Sequence, residues 1–211
     1  WPAEKSKNMA ATYTLITILF VLSLFPAIYL TRLLKPLLGV SIGESFGLLS
    51  MFYTSLLILL PVSMLHGALF TCSCRIYTLI SGQEASIAGR VYVYETVGTI
   101  IGGIFCTYLF VVHLNAFQAA AGLVLINLLA CLVLLAPSPE TPSSPKSLPG
   151  LLAALILIFS YLLYSGQIGK LHQYSVNAQW KNQNVVHYQN SRYGNICGLQ
   201  NEVHYSFFLV C

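Results

Sequence analysis

The chain has 211 residues, of which 56% are hydrophobic and only 8% are charged. A soluble globular domain carries about 25% charged residues, so this composition excludes an ordinary soluble protein. The formal net charge of +4 comes from scattered lysines and arginines and not from one basic face, which argues against nucleic acid as a partner. The composition therefore indicates an integral membrane protein, with the lipid bilayer as its partner.

Five apolar segments predict a polytopic bundle of transmembrane helices. A helix needs roughly 20 apolar residues to cross the hydrocarbon core of a bilayer. Four segments have about that length and almost no charge, whereas Leu151 to Tyr164 is shorter and spans only if flanking residues are included. The predicted fold class is therefore mainly α. The predicted spans are 10–30, 46–70, 91–112, 116–136 and 149–166.

After the spans, the chain changes character. Residues 136–149 are dense in proline and serine, which predicts an extended, solvated connector between the last two spans. Beyond Gly166 the hydropathy falls, and we expect the chain to leave the bilayer there. We therefore divide it into a transmembrane domain, 1–166, and the start of a soluble β-rich domain, 167–211.

The soluble tail predicts a small antiparallel sheet. Segments 185–188, 193–197 and 203–210 are rich in β-branched and aromatic residues, and Asn190-Ser191 and 198–201 separate them as turns. A tail of about 45 residues with so few apolar positions makes a marginal core. We therefore expect this chain to be part of a longer protein that continues after the sheet.

The positive charges near the span ends do not decide the orientation in the membrane. Cytoplasmic loops carry an excess of lysine and arginine, but the two sides are almost equal here. One side has Lys5, Lys7, Arg75, Arg90 and Lys146, and the other has Arg32, Lys35, Lys170 and Lys181.

Within the third span, two glycines predict a helix-packing site. Gly98 and Gly102 lie one helical turn apart on a single face. Without side chains, they allow the backbone of another helix to approach closely. The alternative is that this face lines a cavity or a substrate path.

Glu95 is the candidate for an intramembrane polar site, because an ionisable group in a span is costly and usually has a partner. We expect it about one turn inside its helix, paired with Arg90 or hydrated; a proton-relay carboxylate is the alternative. His66 is expected to be hydrogen-bonded or to face the interface, and not to be a ligand. Gln118 and Asn127 are expected to bond across helices.

Metal and catalytic sites are not predicted. Cys72 and Cys74 form a C-x-C pair, expected just beyond a helix end, but lack the second pair or the nearby histidine that a metal site needs. The tail histidines His172, His187 and His204 lie in unlike local contexts. Close carboxylate pairs and nucleophile motifs are also missing from the tail sequence.

Two segments together resemble the spermidine synthase-like aminopropyltransferases. Residues 185–196 look like the first strands of that family, in which a strand leads to Ser-x-Tyr-Gln and then to an Ile-x-Val strand. Ser191, Tyr193 and Ile196 fit this pattern.

The membrane part resembles the multi-helix N-terminal region that is fused to some bacterial members of the family. That region is similar to half of a major facilitator transporter. Gly67 and Phe70 after Pro61 match its Pro-x-x-x-x-x-Gly-x-x-Phe pattern, and Gly89-Arg90 to Gly102 matches its Gly-Arg, Tyr, Thr, Gly-x-x-x-Gly run.

The resemblance implies a membrane-bound transferase of polyamine biosynthesis in the bacterial inner membrane, with decarboxylated S-adenosylmethionine as a substrate. It implies Tyr193 and Asn195 as weak cofactor-binding positions, although Gly194 replaces the glutamine that follows the tyrosine in the family. The family's Gly-rich nucleotide loop and catalytic aspartate do not occur before Cys211. We therefore expect no catalytic residue, bound cofactor or activity in this chain alone, and a nucleotide-binding domain as its C-terminal partner.

The alternative function is a transporter-like or scaffolding membrane protein with an accessory sheet. Glu95 and the proline-interrupted helices motivate it, since buried charge and broken helices often mark substrate paths. Self-association into a homo-oligomer is left open.

Overall fold

A computed structural model of the chain describes seven α-helices and three β-strands. Several of the helices are long and apolar, and the strands form one small antiparallel sheet. The prediction of a mainly α fold with a β segment is confirmed at this level, while a major facilitator-like arrangement stays a prediction. The described residues are 2–39, 47–81, 87–135, 147–180, 185–191, 194–201 and 204–210.

The first two helices, α1 (Pro2–Leu37) and α2 (Leu48–Ser81), are longer than the apolar runs that predicted them. Helix propagation adds one hydrogen bond per residue, so a helix continues through polar residues at its ends until a turn signal stops it. Cys72 and Cys74 consequently lie inside α2. The expectation that they follow a helix end was wrong.

The third span is one continuous helical rod with an irregular turn. It consists of α3 (Ile87–Phe105), a π-helical turn (Cys106–Phe110) and the one-turn helix α4 (Val111–His113). Together these elements form a candidate membrane span of 27 residues. Single π-helical turns of this kind are frequent at functional sites.

Helix α5 (Ala116–Leu134) begins with a capping box. The Gln118 backbone N–H donates to the side chain of Asn115 at 2.8 Å, and the Asn115 N–H donates to Oε1 of Gln118 at 3.1 Å. Further along, the Asn127 amide donates to the carbonyl of Leu123 at 2.8 Å. The prediction that Gln118 and Asn127 bond across helices was therefore wrong, because both find partners locally.

A sharp corner separates the last two helices, α6 (Ser147–Tyr164) and α7 (Gln167–Gln179). Their axes differ by 68°. Gly166 makes the turn with a φ of +71°, a left-handed conformation that a residue with a side chain seldom adopts. If the apolar helix α6 crosses the membrane, this corner places the polar helix α7 nearly parallel to the membrane surface.

Helix α1 packs at the centre against α2, α5 and α7, and it runs antiparallel to α2 and α5. Tyr13, near the start of α1, lines a cavity together with Tyr77 and Leu134, which lie near the ends of α2 and α5. The opposite end of α1 meets the start of α5, where Arg32 lies over Phe117. The spans therefore alternate in direction.

The best-packed part of the bundle lies between α1, α5 and α6. Buried apolar side chains from all three helices form one cluster there, with Val21, Val124, Leu128, Cys131 and Leu152 at most 1% exposed. The outer helices α2 and α3 are mostly exposed by comparison, as expected of surfaces that face lipid.

Within the described residues, four helices are long and apolar enough to cross a membrane, and the bent pair α6 and α7 makes a fifth candidate. They are Met9–Leu34, Leu48–Leu79, Ile87–His113 and Ala116–Leu134, with Leu148–Tyr164 leading into α7 as the broken fifth. This architecture is compatible with the predicted integral membrane protein.

The tail folds into a three-stranded antiparallel sheet in the order β1 (Val185–Ser191), β2 (Gly194–Asn201), β3 (His204–Val210). The three predicted strands are confirmed, but both turns were placed too early. Asn190-Ser191 still belongs to β1, and residues 198–201 still belong to β2, where they pair with both neighbours or with β3.

Helix α7 comes before this sheet and packs against it. Val176 of α7 and Trp180, which follows the helix, form a buried cluster with Cys197 and Leu199 of β2. The sequence analysis did not predict α7, since its many polar residues resemble a loop. The helix lies in the segment assigned to the soluble domain, and that division between domains stays a prediction.

Candidate functional site

The central feature at the junction between helices and sheet is Arg32, near the C-terminal end of α1. Its Nη1 lies 3.0 Å from Nδ1 of His172 and 3.4 Å from the hydroxyl oxygen of Ser175, both on α7. An arginine N–H can only donate, so Nδ1 of His172 accepts and the neutral ring carries its proton on Nε2.

Two aromatic rings complete the surroundings of Arg32. Its Cζ lies 5.5 Å from the ring centroid of Phe117 and 6.0 Å from that of Tyr188. A cation over an aromatic face gains about 0.5–2 kcal/mol, most where water is excluded. The ring of His172 packs edge-on against Tyr188, with 5.3 Å between centroids. We call Arg32, Phe117, His172, Ser175 and Tyr188 the junction cluster.

The junction cluster joins α1, α5, α7 and β1 around one positive charge. Glu95, the one acid whose side chain the structure describes, contacts His66 in the membrane part, so Arg32 has no carboxylate partner among the described residues. Ser175 is fully buried and Arg32 is partly buried. A partly buried cation is therefore held here by neutral acceptors and aromatic faces.

The protonation states follow from burial and from Arg32. Burial, and then the positive charge of Arg32, lower the pKa of His172 from 6.5 to about 4. Burial raises the pKa of Tyr188, although Arg32 acts in the opposite direction. At neutral pH the imidazole is therefore uncharged and the phenol keeps its proton, so both groups can donate a hydrogen bond.

A mostly polar cavity of about 340 Å³ adjoins the junction cluster. Among the described residues, the buried Tyr188 hydroxyl finds no hydrogen-bond partner. Leaving such a group unbonded costs about 1–3 kcal/mol, so the cavity is where a partner would be favourable. The cavity is lined by His172, Gln173, Val176, Asn177, Val185 and Tyr188.

At the predicted intramembrane site, an acid and a histidine on two helices contact each other, and they form an ion pair only when the histidine is protonated. Oε1 of Glu95 lies 3.6 Å from Nε2 of His66 on α2, and the His66 ring packs against Phe20 of α1 at 5.9 Å. The expected pairing of Glu95 with Arg90 is replaced by this contact. Because α3 begins at Ile87, Glu95 also lies about two turns inside the helix and not one.

The glycine face of α3 is open. A Cβ built on Gly98 or Gly102 would meet no atom within 4 Å in the described part of the chain. The close helix packing predicted for these two glycines has no partner among the helices that the structure describes. It stays a prediction about contacts with another molecule or segment.

The positions implied by the resemblance are only partly visible. Tyr193 lies outside the described residues, and Asn195 lies in β2, opposite Asn190 of β1 and Val210 of β3. Across the described ranges, no group of three or more histidine, cysteine, aspartate or glutamate residues could hold a metal ion.

A second cavity, of about 280 Å³, lies at the other end of the bundle between α1, α2 and α5. Hydroxyl and amide groups of Tyr13, Thr17, Ser73 and Asn127 contribute to its lining. Thr17 donates to the carbonyl of Tyr13 at 2.9 Å and so needs no other acceptor. The cavity can hold water within the apolar bundle.

The junction cluster was not predicted from the sequence. Arg32 was treated as a positive charge at the end of a span, and His172 as one of three scattered histidines. A signal was present, because Ile168, His172, Ser175 and Val176 follow a helical spacing that puts them on one face. That face is the one that packs against the rest of the molecule.

Comparison with models of known protein families, with curated protein sequences and with solved structures finds no match to this chain.

Proposed function

We propose that this chain is a membrane-anchoring helical domain that carries, at one surface, the first strands of a spermidine synthase-like aminopropyltransferase. The supporting observation is the direct docking of the sheet onto α7 and onto the end of α1. Tyr188 of β1 packs near Arg32 of α1 and against His172 of α7, and Leu199 of β2 is buried with Val176.

This docking suits an enzyme that works at a membrane surface. A flexible linker would let a soluble domain move freely, whereas here the helix α7 and the sheet share a buried core. A nucleotide-binding domain that continues from β3 would then be held at a fixed place beside the bilayer. Decarboxylated S-adenosylmethionine is its proposed substrate, and a major facilitator-like bundle its proposed anchor.

The test uses the complete reading frame that contains this chain, purified in detergent. Decarboxylated S-adenosylmethionine and putrescine are added, and products are identified by mass spectrometry. The amine nitrogen should displace methylthioadenosine from the aminopropyl carbon and lose a proton, giving spermidine. The 211-residue chain alone serves as the control and should give none.

Two results would contradict the proposal. One is the absence of spermidine from the complete protein. The other is a reading frame with no Gly-rich strand-to-helix loop within about 50 residues after the sheet, since that loop must lie next to the nucleotide in an α/β transferase.

A transporter is the second candidate, favoured by the contact between Glu95 and His66. An acid and a base that meet between two spans can pass a proton, and such pairs mark transport pathways. The structure also brings Phe20 of a third helix to this pair.

Proton flux into proteoliposomes under an imposed voltage tests the transporter, with a pH-sensitive dye inside the vesicles. Glu95→Gln should abolish the flux, because the amide cannot carry a proton. Thr96→Val, on the next and exposed position, is the matched control and should keep it. Equal flux in the wild type and in Glu95→Gln would exclude Glu95 as the coupling group.

A further inference from the structure

We propose that the cavity beside the junction cluster binds a phosphate-type oxyanion. The Tyr188 hydroxyl and the Nε2–H of His172 are the donors, and the positive charge of Arg32 lies behind them. This site is independent of the aminopropyltransferase proposal, because its lining comes from α7 and β1 and its charge from α1.

The charge of Arg32 favours an anion in this cavity. Arg32 is withdrawn from water by Phe117, His172 and Tyr188, and no carboxylate in the described part of the chain pairs with it. A cation that has lost much of its hydration gains most from an anion nearby. Because His172 is neutral, it does not compensate that positive charge, and Lys170 adds another positive charge on α7.

Hydrogen-bond donors around the cavity also favour an oxyanion. Tyr188 offers a buried hydroxyl that lacks a partner among the described residues. His172 lines the same cavity, and its Nδ1 is occupied by Arg32, so the nitrogen that remains carries a proton. Gln173 and Asn177, whose side-chain amides carry N–H donors, also line the cavity.

The size and position of the cavity suit a phosphate group. A volume of about 340 Å³ is ample for a phosphate group with its substituent. The cavity lies where α1 ends and α5 begins, which is the level of the lipid headgroups if these helices cross the bilayer. A phospholipid headgroup and free phosphate share the required chemistry, and they are the two sources to distinguish.

The experiment uses the full chain in an uncharged detergent and measures binding by titration calorimetry. One series uses inorganic phosphate, and the other uses dihexanoyl phosphatidic acid below its micelle concentration. We expect saturable binding in at least one series. Binding only in the second assigns the site to a lipid headgroup, and binding only in the first assigns it to a soluble phosphate.

Tyr188→Phe tests the donor, since it removes one oxygen and keeps the ring that packs against His172. Its affinity for the bound probe should fall about tenfold, as for the loss of one charge-assisted hydrogen bond. Tyr174→Phe is the matched control, because Tyr174 is 69% exposed on α7, the helix that carries His172, and the affinity of this variant should not change.

Arg32→Lys keeps the charge but removes the planar fork, and it should weaken binding while circular dichroism confirms the fold. The proposal is overturned if neither phosphate probe binds the wild type. It is also overturned if Tyr188→Phe binds as tightly as Tyr174→Phe.

Discussion

Arg32 shows how one residue can act differently from what its place in the sequence indicates. A positive charge near the end of an apolar helix usually anchors the span at the headgroups. Here the guanidinium instead points to His172 and Ser175 on α7 and stacks with Phe117 and Tyr188. It therefore connects the membrane helices to the sheet.

His172 should make stability depend on pH. Its pKa is about 4 in the fold and near 6.5 when unfolded, so the unfolded chain binds more protons between those values. Stability should therefore fall as the pH drops from 7 towards 4, by about 1–2 kcal/mol once partial exposure is allowed for. Thermal unfolding in detergent across this pH range measures the loss.

The variant His172→Asn separates this effect from other titrations. Asparagine places a non-titrating oxygen near the former Nδ1, so Arg32 keeps an acceptor and the pH dependence should flatten. His187→Asn removes an exposed histidine of β1 and should leave the slope unchanged. The same slope in the wild type and in His172→Asn would show that His172 is not responsible.

The candidate site could be predicted only where local sequence determines it. Glu95 was recognisable because a lone acid in an apolar run is conspicuous, but its partner His66 is 29 positions away and depends on how two helices pack. Arg32 and His172 are 140 positions apart. The sequence around either residue gives no sign that the two side chains meet in the fold.

At the scale of elements, apolar length predicted the membrane helices well and their ends poorly. The length of an apolar run reflects the thickness of the bilayer, whereas the ends of a helix depend on capping groups such as Asn115 and on loops. Helix α7 was missed because its apolar face is short, and its stability comes from packing against α1 and β2. The strands were found because alternating aromatic and β-branched residues are a local signal.

Leu128 should be a structural centre of α5, since it is 0% exposed and packs between α1 and α6. Leu128→Ala should cost about 1–3 kcal/mol of unfolding free energy, below the usual value for water-soluble cores because lipid also solvates leucine. Leu129→Ala, at a neighbouring position that is 49% exposed, is the control and should cost much less. Denaturation in mixed micelles measures both, and equal losses would contradict this packing.

For the whole molecule, alternating spans place the two ends of α1 on opposite sides of a membrane. The junction cluster and the sheet lie on one side, and the hydroxyl-lined cavity of α1, α2 and α5 lies towards the other. The fifth segment decides whether this arrangement holds, because α6 must cross for the sheet to reach Arg32.

Site-directed labelling tests this topology. In a chain whose six native cysteines are serine, Arg75→Cys and Lys170→Cys should react with an impermeant maleimide from opposite sides of oriented vesicles. Both parent residues are exposed, on α2 and α7. Leu157→Cys on α6 should stay unlabelled in lipid. Labelling of both exposed positions from the same side would show that the fifth segment does not cross.

The short helix before the corner at Gly166 has a mechanical consequence. With 18 residues, α6 is about 27 Å long, slightly less than a hydrocarbon core of about 30 Å. It has no extra hydrophobic length that tilting would accommodate. A thicker bilayer must therefore thin around α6 or pull α7 towards the hydrocarbon core. The distance between the sheet and the lipid surface would thus depend on the thickness of the membrane.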